Sequence, residues 1–274
     1  MRGSAPTSLC LFALAGGCTS TVFAEPRILV SPYFTNYQVR GEVAVQSQQG
    51  LLGPIVDNAP QPLRSFGQDH YRDDIGVRAD IGDGFGGVRF DWFKLDQNSA
   101  RPNVLGDDWG NLLATDLVRM QVEMDELRIG YVEPLATVRT TWRNQPLVLR
   151  GGLGGTFVWR DLVLRARTDD GVRAQNVGID GEIVAIAGRF RASWRDFAFD
   201  ADYEVSPQIV IGGDFEGLLQ DLELRASWTM TQHDVTFFAG YRLSTFAAAG
   251  SAGGFAYDAD LTIDGFQAGV SVVF

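Results

Sequence analysis

The last eight residues, Gln267-Ala268-Gly269-Val270-Ser271-Val272-Val273-Phe274, constrain the fold more than any other stretch. Counting back by twos from Phe274 gives Val272, Val270, Ala268 and Phe266, an unbroken apolar face at the strand period. The alternate positions, Ser271, Gly269, Gln267 and Gly265, are small or polar. Such a strand needs an apolar medium on one side and a polar one on the other. A soluble sandwich supplies this with the apolar face turned inward, and a membrane barrel with it turned outward.

The segment 189–204 repeats the alternation with charges. Phe190, Ala192 and Trp194 face one way and Arg189 and Arg191 the other; after Arg195-Asp196, Phe197, Phe199, Ala201 and Tyr203 oppose Asp200, Asp202 and Glu204. A two-residue turn there places residues whose numbers sum to 391 opposite each other, so Arg191 meets Asp200 and Arg189 meets Asp202. The hairpin around 82–86 behaves alike: pairing Ile81 with Val88 puts Asp80 opposite Arg89 and Arg78 opposite Asp91. Asp221, Glu223, Arg225 and Arg242 fill the polar face of two further strands, whose other face carries Leu222, Leu224, Trp228, Val235, Phe237 and Tyr241. The extent of the apolar faces, with aromatics beside the turns, favours lipid outside and charge inside.

A terminal strand ending on Phe274, apolar outside and polar inside, resembles the C-terminal assembly signal of bacterial outer-membrane β-barrels, with Gln267, Gly269, Val272 and Phe274 as its marked positions. The resemblance is to that class and implies an all-β, antiparallel up-and-down transmembrane barrel in the cell outer membrane. It also implies contact with outer-membrane lipid and lipopolysaccharide, and assembly through the last strand by the barrel assembly machinery. The pattern predicts about ten strands, near 27–43, 70–81, 87–96, 118–133, 146–165, 177–194, 197–206, 217–229, 234–246 and 262–274, with eight or twelve also compatible. Short turns alternate with longer stretches at 44–69, 97–117, 207–216 and 247–261, as periplasmic turns alternate with external loops. Residues 134–145 break that rule, being long where a short turn is expected.

Residues 1–24 read as a secretory signal peptide. Arg2 gives a positive start, residues 9–15 an apolar core, and Val22-Phe23-Ala24 a small-residue cleavage site, leaving 25–274 as one barrel domain. A competing reading makes residues 14–18 a degenerate lipobox with Cys18 as the lipidated residue. Both cysteines, Cys10 and Cys18, fall within this segment, so cleavage after Ala24 removes every thiol. The net charge of −11 argues against nucleic acid, and two histidines without cysteine argue against a zinc or copper site. No cofactor and no metal site are expected, and the chain reads as a monomer.

Catalytic patterns are weak. Asp69-His70 and Asp73-Asp74 lie within six residues on one edge, and His233-Asp234 lies in a short turn on the opposite rim. Gly151-Gly152-Leu153-Gly154-Gly155 lacks the helix and the closing Lys-Ser/Thr of a phosphate loop and reads as strand glycines. The acidic residues Asp214, Glu216, Asp258 and Asp260 read as solvated loops, with divalent-cation bridging to anionic lipopolysaccharide as the sharper alternative. The chemistry the chain displays most clearly is the inward charge network of Arg78, Asp80, Arg89, Asp91, Arg189, Arg191, Asp200, Asp202, Glu204, Asp221, Glu223, Arg225 and Arg242. In a narrow barrel these charges form either a salt-bridged plug or an ion-selective constriction. The expected function is a plugged barrel with a structural or adhesive envelope role, and the alternatives are a narrow porin-like channel and a barrel hydrolase of lipid or peptide.

Overall fold

The computed structural model describes residues 27–49, 53–206, 210–214, 219–230 and 232–274. The signal-peptide and Cys18 readings fall outside these residues, as does Glu216. Nearly all of the described chain is antiparallel β, forming a ring of about ten strands. Its long members are β1 (Arg27–Val45), β2 (Arg72–Gly82), β3 (Gly87–Asn98), β4 (Leu117–Trp142) and β5 (Gln145–Thr168). They continue with β6 (Ala174–Trp194), β7 (Phe197–Val205), β8 (Gln220–Met230), β9 (Val235–Ala252) and β10 (Phe255–Val273). Sequential strands pair, and β10 pairs back on β1 from Leu29↔Val273 to Val45↔Tyr257. Beyond the last strand pair, the Phe274 N–H donates to the Ile28 carbonyl at 2.9 Å.

Two segments read as connections are continuous strand, and a third, 207–216, carries the short strand Val210–Gly213 paired with β6. Residues 134–145 continue β4 and β5 into one long hairpin, closed by Arg143-Asn144 at φ 50° and 59°. Both central residues take the left-handed conformation that a tight two-residue hairpin needs, and Asn tolerates it better than most. The register slips between Pro134 and Ala136, a bulge that accommodates a proline within a strand. Residues 247–261 likewise extend β9 and β10 up to a Gly253-Gly254 turn, so Asp258 and Asp260 stand exposed on the outside of a strand rather than in a loop. The glycines of 151–155 lie in β5. A Cβ on Gly154 would come within 1.8 Å of the Tyr131 carbonyl, so the close approach of β4 and β5 requires glycine there.

Strand length carries the main architectural message. β4 has 26 residues and β5 has 24, whereas ~9–11 suffice to cross a bilayer as a tilted strand. The excess is resolved by an inversion of polarity along each long strand. On β4, Leu127, Ile129 and Tyr131 face outward and Glu126 and Arg128 inward, but toward the outer end Val118, Met120, Val122 and Met124 are buried inside while Gln121, Glu123 and Asp125 face out. On β1 the outward face passes from Phe34 to Asn36, Gln38 and Arg40 while Val39, Val43 and Val45 are buried. Outward charges mark the change on neighbouring strands, just beyond the last outward apolar residue: Asp73, Lys94, Asp125, Asp161 and Glu182. The ring is therefore a membrane barrel near its short-turn rim and an ordinary water-facing β-barrel beyond it.

The outer half has an apolar core. Leu95, Val122, Leu162, Leu164, Val177, Ile179, Phe246 and Leu261 are buried there. The long connections fold into its mouth, where a short 3₁₀ turn (Leu63–Phe66) brings in Leu63 and Phe66, and the 99–116 connection brings in Leu105, Trp109 and Leu112. The Trp109 ring meets Phe66 edge-on at 4.9 Å, and its N–H donates to the Val43 carbonyl at 3.0 Å. That bond satisfies the indole N–H, the one polar side-chain atom among these five residues.

Candidate functional site: a charged layer inside the ring

Beneath the apolar core the inward positions become ionic, because the strands that turn aliphatic side chains to lipid must turn their alternate residues inward. The hairpin of β6 and β7 has the register summing to 391, and places Arg191 Nε 2.5 Å from Asp200 and Arg189 Nε 2.7 Å from Asp202. The hairpin of β2 and β3 places Arg78 2.7 Å from Asp91 and Arg89 Nε 2.7 Å from Asp80. These local pairs are linked across the lumen. Arg78 also binds Glu223 at 2.7 Å, and Arg89 binds Asp202 at 2.6 Å. Arg225 is the loosest member, 3.4 Å from Asp200.

A second cluster sits between this one and the apolar core, and part of it was not foreseen from sequence. Glu126 is fully buried and accepts hydrogen bonds from Arg128 Nε at 2.5 Å, Arg160 Nε at 2.6 Å and Arg242 Nη2 at 2.6 Å. Arg128 further reaches Glu204 and Asp221, each at 2.6 Å, and Arg242 reaches Asp221 at 2.9 Å. Arg160 lies over the Phe246 ring at 4.3 Å, where the charge layer meets the apolar core. Glu126, Arg128 and Arg160 lie on long strands without the Arg–Asp hairpin signature, which is why they escaped. The visible signal is the switch of apolar residues from even positions (118–124) to odd ones (127–131) along β4.

Among the described residues the layer joins eight arginines (78, 89, 128, 160, 189, 191, 225, 242) with eight carboxylates (80, 91, 126, 200, 202, 204, 221, 223). The count is balanced, so the layer presents no net charge to select a cation or an anion. Among Arg78, Arg89, Arg128, Glu223 and Arg242 the space left is about 30 Å³, room for roughly one water molecule, while toward the short-turn rim a wider recess of about 230 Å³ opens beside Asp80, Arg191, Asp200 and Arg225.

The terminal strand is tied into the same layer. Gln267 donates to Glu223 at 2.8 Å and accepts from the Tyr37 hydroxyl at 3.1 Å, and Ser271 shares a 2.7 Å hydrogen bond with Ser31. Gly269 lies against the Pro32 carbonyl and the Phe238 ring, with no room for a Cβ. Val272 pairs with Val30 and Val235, and the Phe274 side chain is exposed on the short-turn rim.

The remaining polar candidates do not converge. His70 Nδ1 is 3.9 Å from Asp69, Asp73 accepts from Asn36, and Asp74 accepts the Asp96 N–H, all near the outer end of β2. His233 lies in the turn between β8 and β9, on the opposite rim. Among the described residues no three His, Cys, Asp or Glu side chains are grouped to hold a metal ion.

Outside, the charged layer is matched by an apolar belt. Ile28, Phe34, Ile75, Val77, Phe90, Trp92, Ile129, Tyr131, Ile186, Phe190, Phe237 and Phe266 are large apolar side chains left exposed at this level. Trp228 stacks with Phe237 at 5.9 Å, and Trp194 meets Trp142 at 5.0 Å near the short-turn rim, as interfacial aromatics do. An exposed apolar band around a paired ionic interior is stable only with hydrocarbon outside. The chain is a membrane-spanning β-barrel. No family model matches it, and no curated protein matches it. Solved structures similar to it include the outer membrane protease OmpT from Escherichia coli, at 10% identity over 90% of this chain and 97% of that one, with a TM-score of 0.48. Others are Ail, the attachment invasion locus protein of Yersinia pestis (10% identity, 89% and 99% covered, TM-score 0.30), and a Pseudomonas aeruginosa FadL homologue (11%, 91% and 90%, 0.31). Identities and scores this low transfer no activity from any of them.

Proposed function

We propose that this protein is a closed, ten-stranded barrel that conducts nothing, and that its role is structural or adhesive and lies on its outer, water-facing half. The observation that carries the reading is the filling of the lumen at two successive levels. A solute entering from the loop side meets Trp109, Phe66 and the aliphatic core; one entering from the other rim meets Arg191, Asp200 and Arg225 and then the Glu126–Arg160 cluster. Opening the first level exposes apolar surface to water. Opening the second strands charges whose partners lie on other strands, at a cost of several kcal/mol, on the order of the penalty for breaking a buried pair. The extended strands beyond the membrane supply the surface that such a role needs. We read the barrel as a monomer, assembled through its terminal strand. Proteoliposomes carrying the full chain should not swell in arabinose or in potassium chloride above protein-free controls; swelling at the rate of a general porin would overturn the reading.

A further inference from the structure

The belt is not uniform. Where β9, β10, β1 and β2 adjoin, its outward face carries two adjoining grooves of about 640 and 470 Å³ that share Phe34 and Ala268. Their floors are low because Ala239 and Ala268 occupy outward positions, and their walls are aromatic: Phe34 is 72% exposed and Phe266 63%, with Phe237 and Trp92 bounding the larger groove. At this level the surrounding medium is hydrocarbon, so the occupant that reaches these grooves is an acyl chain.

Grooves alone give little selectivity, because lipid tails are as apolar as the residues they meet and only close packing distinguishes one site from another. The polar end supplies the rest. Asp264, the first outward residue on β10 beyond Phe266, is only 2% exposed although it faces out. Arg40 covers it through Nε at 2.8 Å and Nη2 at 2.6 Å, and the Tyr241 and Tyr71 hydroxyls donate to it at 2.9 and 3.5 Å. Asp264 therefore fixes an arginine at the edge of the hydrocarbon. Arg40 remains 52% exposed, and its Nη1 has no hydrogen-bond acceptor among the described residues. A guanidinium held in place with free donors is suited to a phosphate oxygen. The neighbouring carboxylate, Asp73, is engaged by Asn36 Nδ2 at 2.6 Å.

We propose that this seam is a lipid site, in which an anionic, phosphate-bearing lipid of the outer leaflet lays acyl chains in the two grooves and rests a phosphate on Arg40. The site rests on the membrane placement of the belt and is independent of whether the lumen conducts.

Full-length protein in a mild detergent would be titrated with lipid A, phosphatidylglycerol, phosphatidylcholine or inorganic phosphate, and bound lipid counted by native mass spectrometry. One anionic lipid per chain should be retained in preference to phosphatidylcholine. Arg40→Gln should weaken retention about tenfold, the equivalent of one charge-assisted hydrogen bond. Ala268→Phe fills the groove with another apolar side chain and should abolish retention while the barrel keeps its heat-modifiable migration. Lipid A held in preference to phosphatidylglycerol assigns a phosphorylated glycolipid, and equal retention of the two assigns any anionic phospholipid; both support the site. Competition by millimolar phosphate supports the Arg40 contact. Phosphatidylcholine retained as well as the anionic lipids, or both variants binding at wild-type affinity, would overturn the proposal.

Discussion

Replacing Glu126 by Gln keeps the size of the side chain and deletes one charge from the centre of the lumen. Three arginines depend on that carboxylate unequally. Arg128 keeps Glu204 and Asp221, and Arg242 keeps Asp221. Arg160 keeps no carboxylate; its other contacts are the Ser244 hydroxyl at 3.1 Å and the Phe246 ring at 4.3 Å. Those two contacts exist before and after the change and cancel, so the variant strands one fully buried guanidinium, a loss of about 3–5 kcal/mol. Arg160→Met leaves Glu126 with two arginines and fills most of the space, so its loss should be smaller, about 1–2 kcal/mol. The double variant restores equal numbers of charges and should be more stable than Glu126→Gln alone, by about 2 kcal/mol, a coupling that non-additive cycles detect. The assay is urea unfolding in phospholipid vesicles, followed by tryptophan fluorescence. A Glu126→Gln loss within about 1 kcal/mol of zero, with strict additivity, would show that water screens the layer and would refute the reasoning.

Three other outcomes follow from the same contacts. Trp109→Ala removes a fully buried ring and its hydrogen bond to Val43, and should cost about 3–5 kcal/mol without raising conductance, because the ionic layer beneath stays closed; a conducting variant would show that the cap alone seals the lumen. Deleting Phe274, or Phe274→Asp, should leave protein that fails to assemble and is degraded in cells, while Phe274→Tyr should show normal heat-modifiable folding; normal folding of the deletion would remove the terminal aromatic from the account. Asp83 lies in the turn between β2 and β3, where burial raises its carboxyl but the N–H groups of Gly86 and Phe85, at 2.7 and 2.9 Å, outweigh it and hold the carboxyl below its usual value. The turn is thus fully stabilised above the ordinary carboxylate range and loosens as pH falls through the depressed value, so turn amides should exchange faster in acid in wild type, beyond the intrinsic rate, but not in Asp83→Asn.

Legibility in the sequence follows the physical regularity of each half. Near the short-turn rim, alternation was readable because each hairpin stands its Arg and Asp on one face and its aromatics on the other, as Arg189, Arg191, Asp200 and Asp202 do against Phe190, Trp194, Phe197 and Phe199. The register of that hairpin followed from the two residues Arg195-Asp196. The outer half was harder. There the same inward positions turn apolar, so Val118 to Met124 share a parity with Glu126 and Arg128, and a single rule of charge inside fails halfway along the strand. Residues 247–261 looked like a loop because Ala and Gly are poor strand formers in isolation. In the ring these residues pair β9 with β10 and turn Ala248, Ala252 and Ala259 into the interior, and pairing with formed strands overrides propensity. The loop residues Phe66, Trp109 and Leu112 gave no periodic signal, since their burial is decided only when the mouth of the barrel exists.

The central claim is that two stacked layers close the lumen, and single-channel recording of the purified full chain in planar bilayers tests it most directly. The account predicts no current steps above the bare membrane in about 1 M potassium chloride, where charges are screened within ~3 Å, at either polarity, in protein whose insertion is verified by heat-modifiable migration of the same sample. Reproducible, ohmic conductance steps from that sample would contradict it.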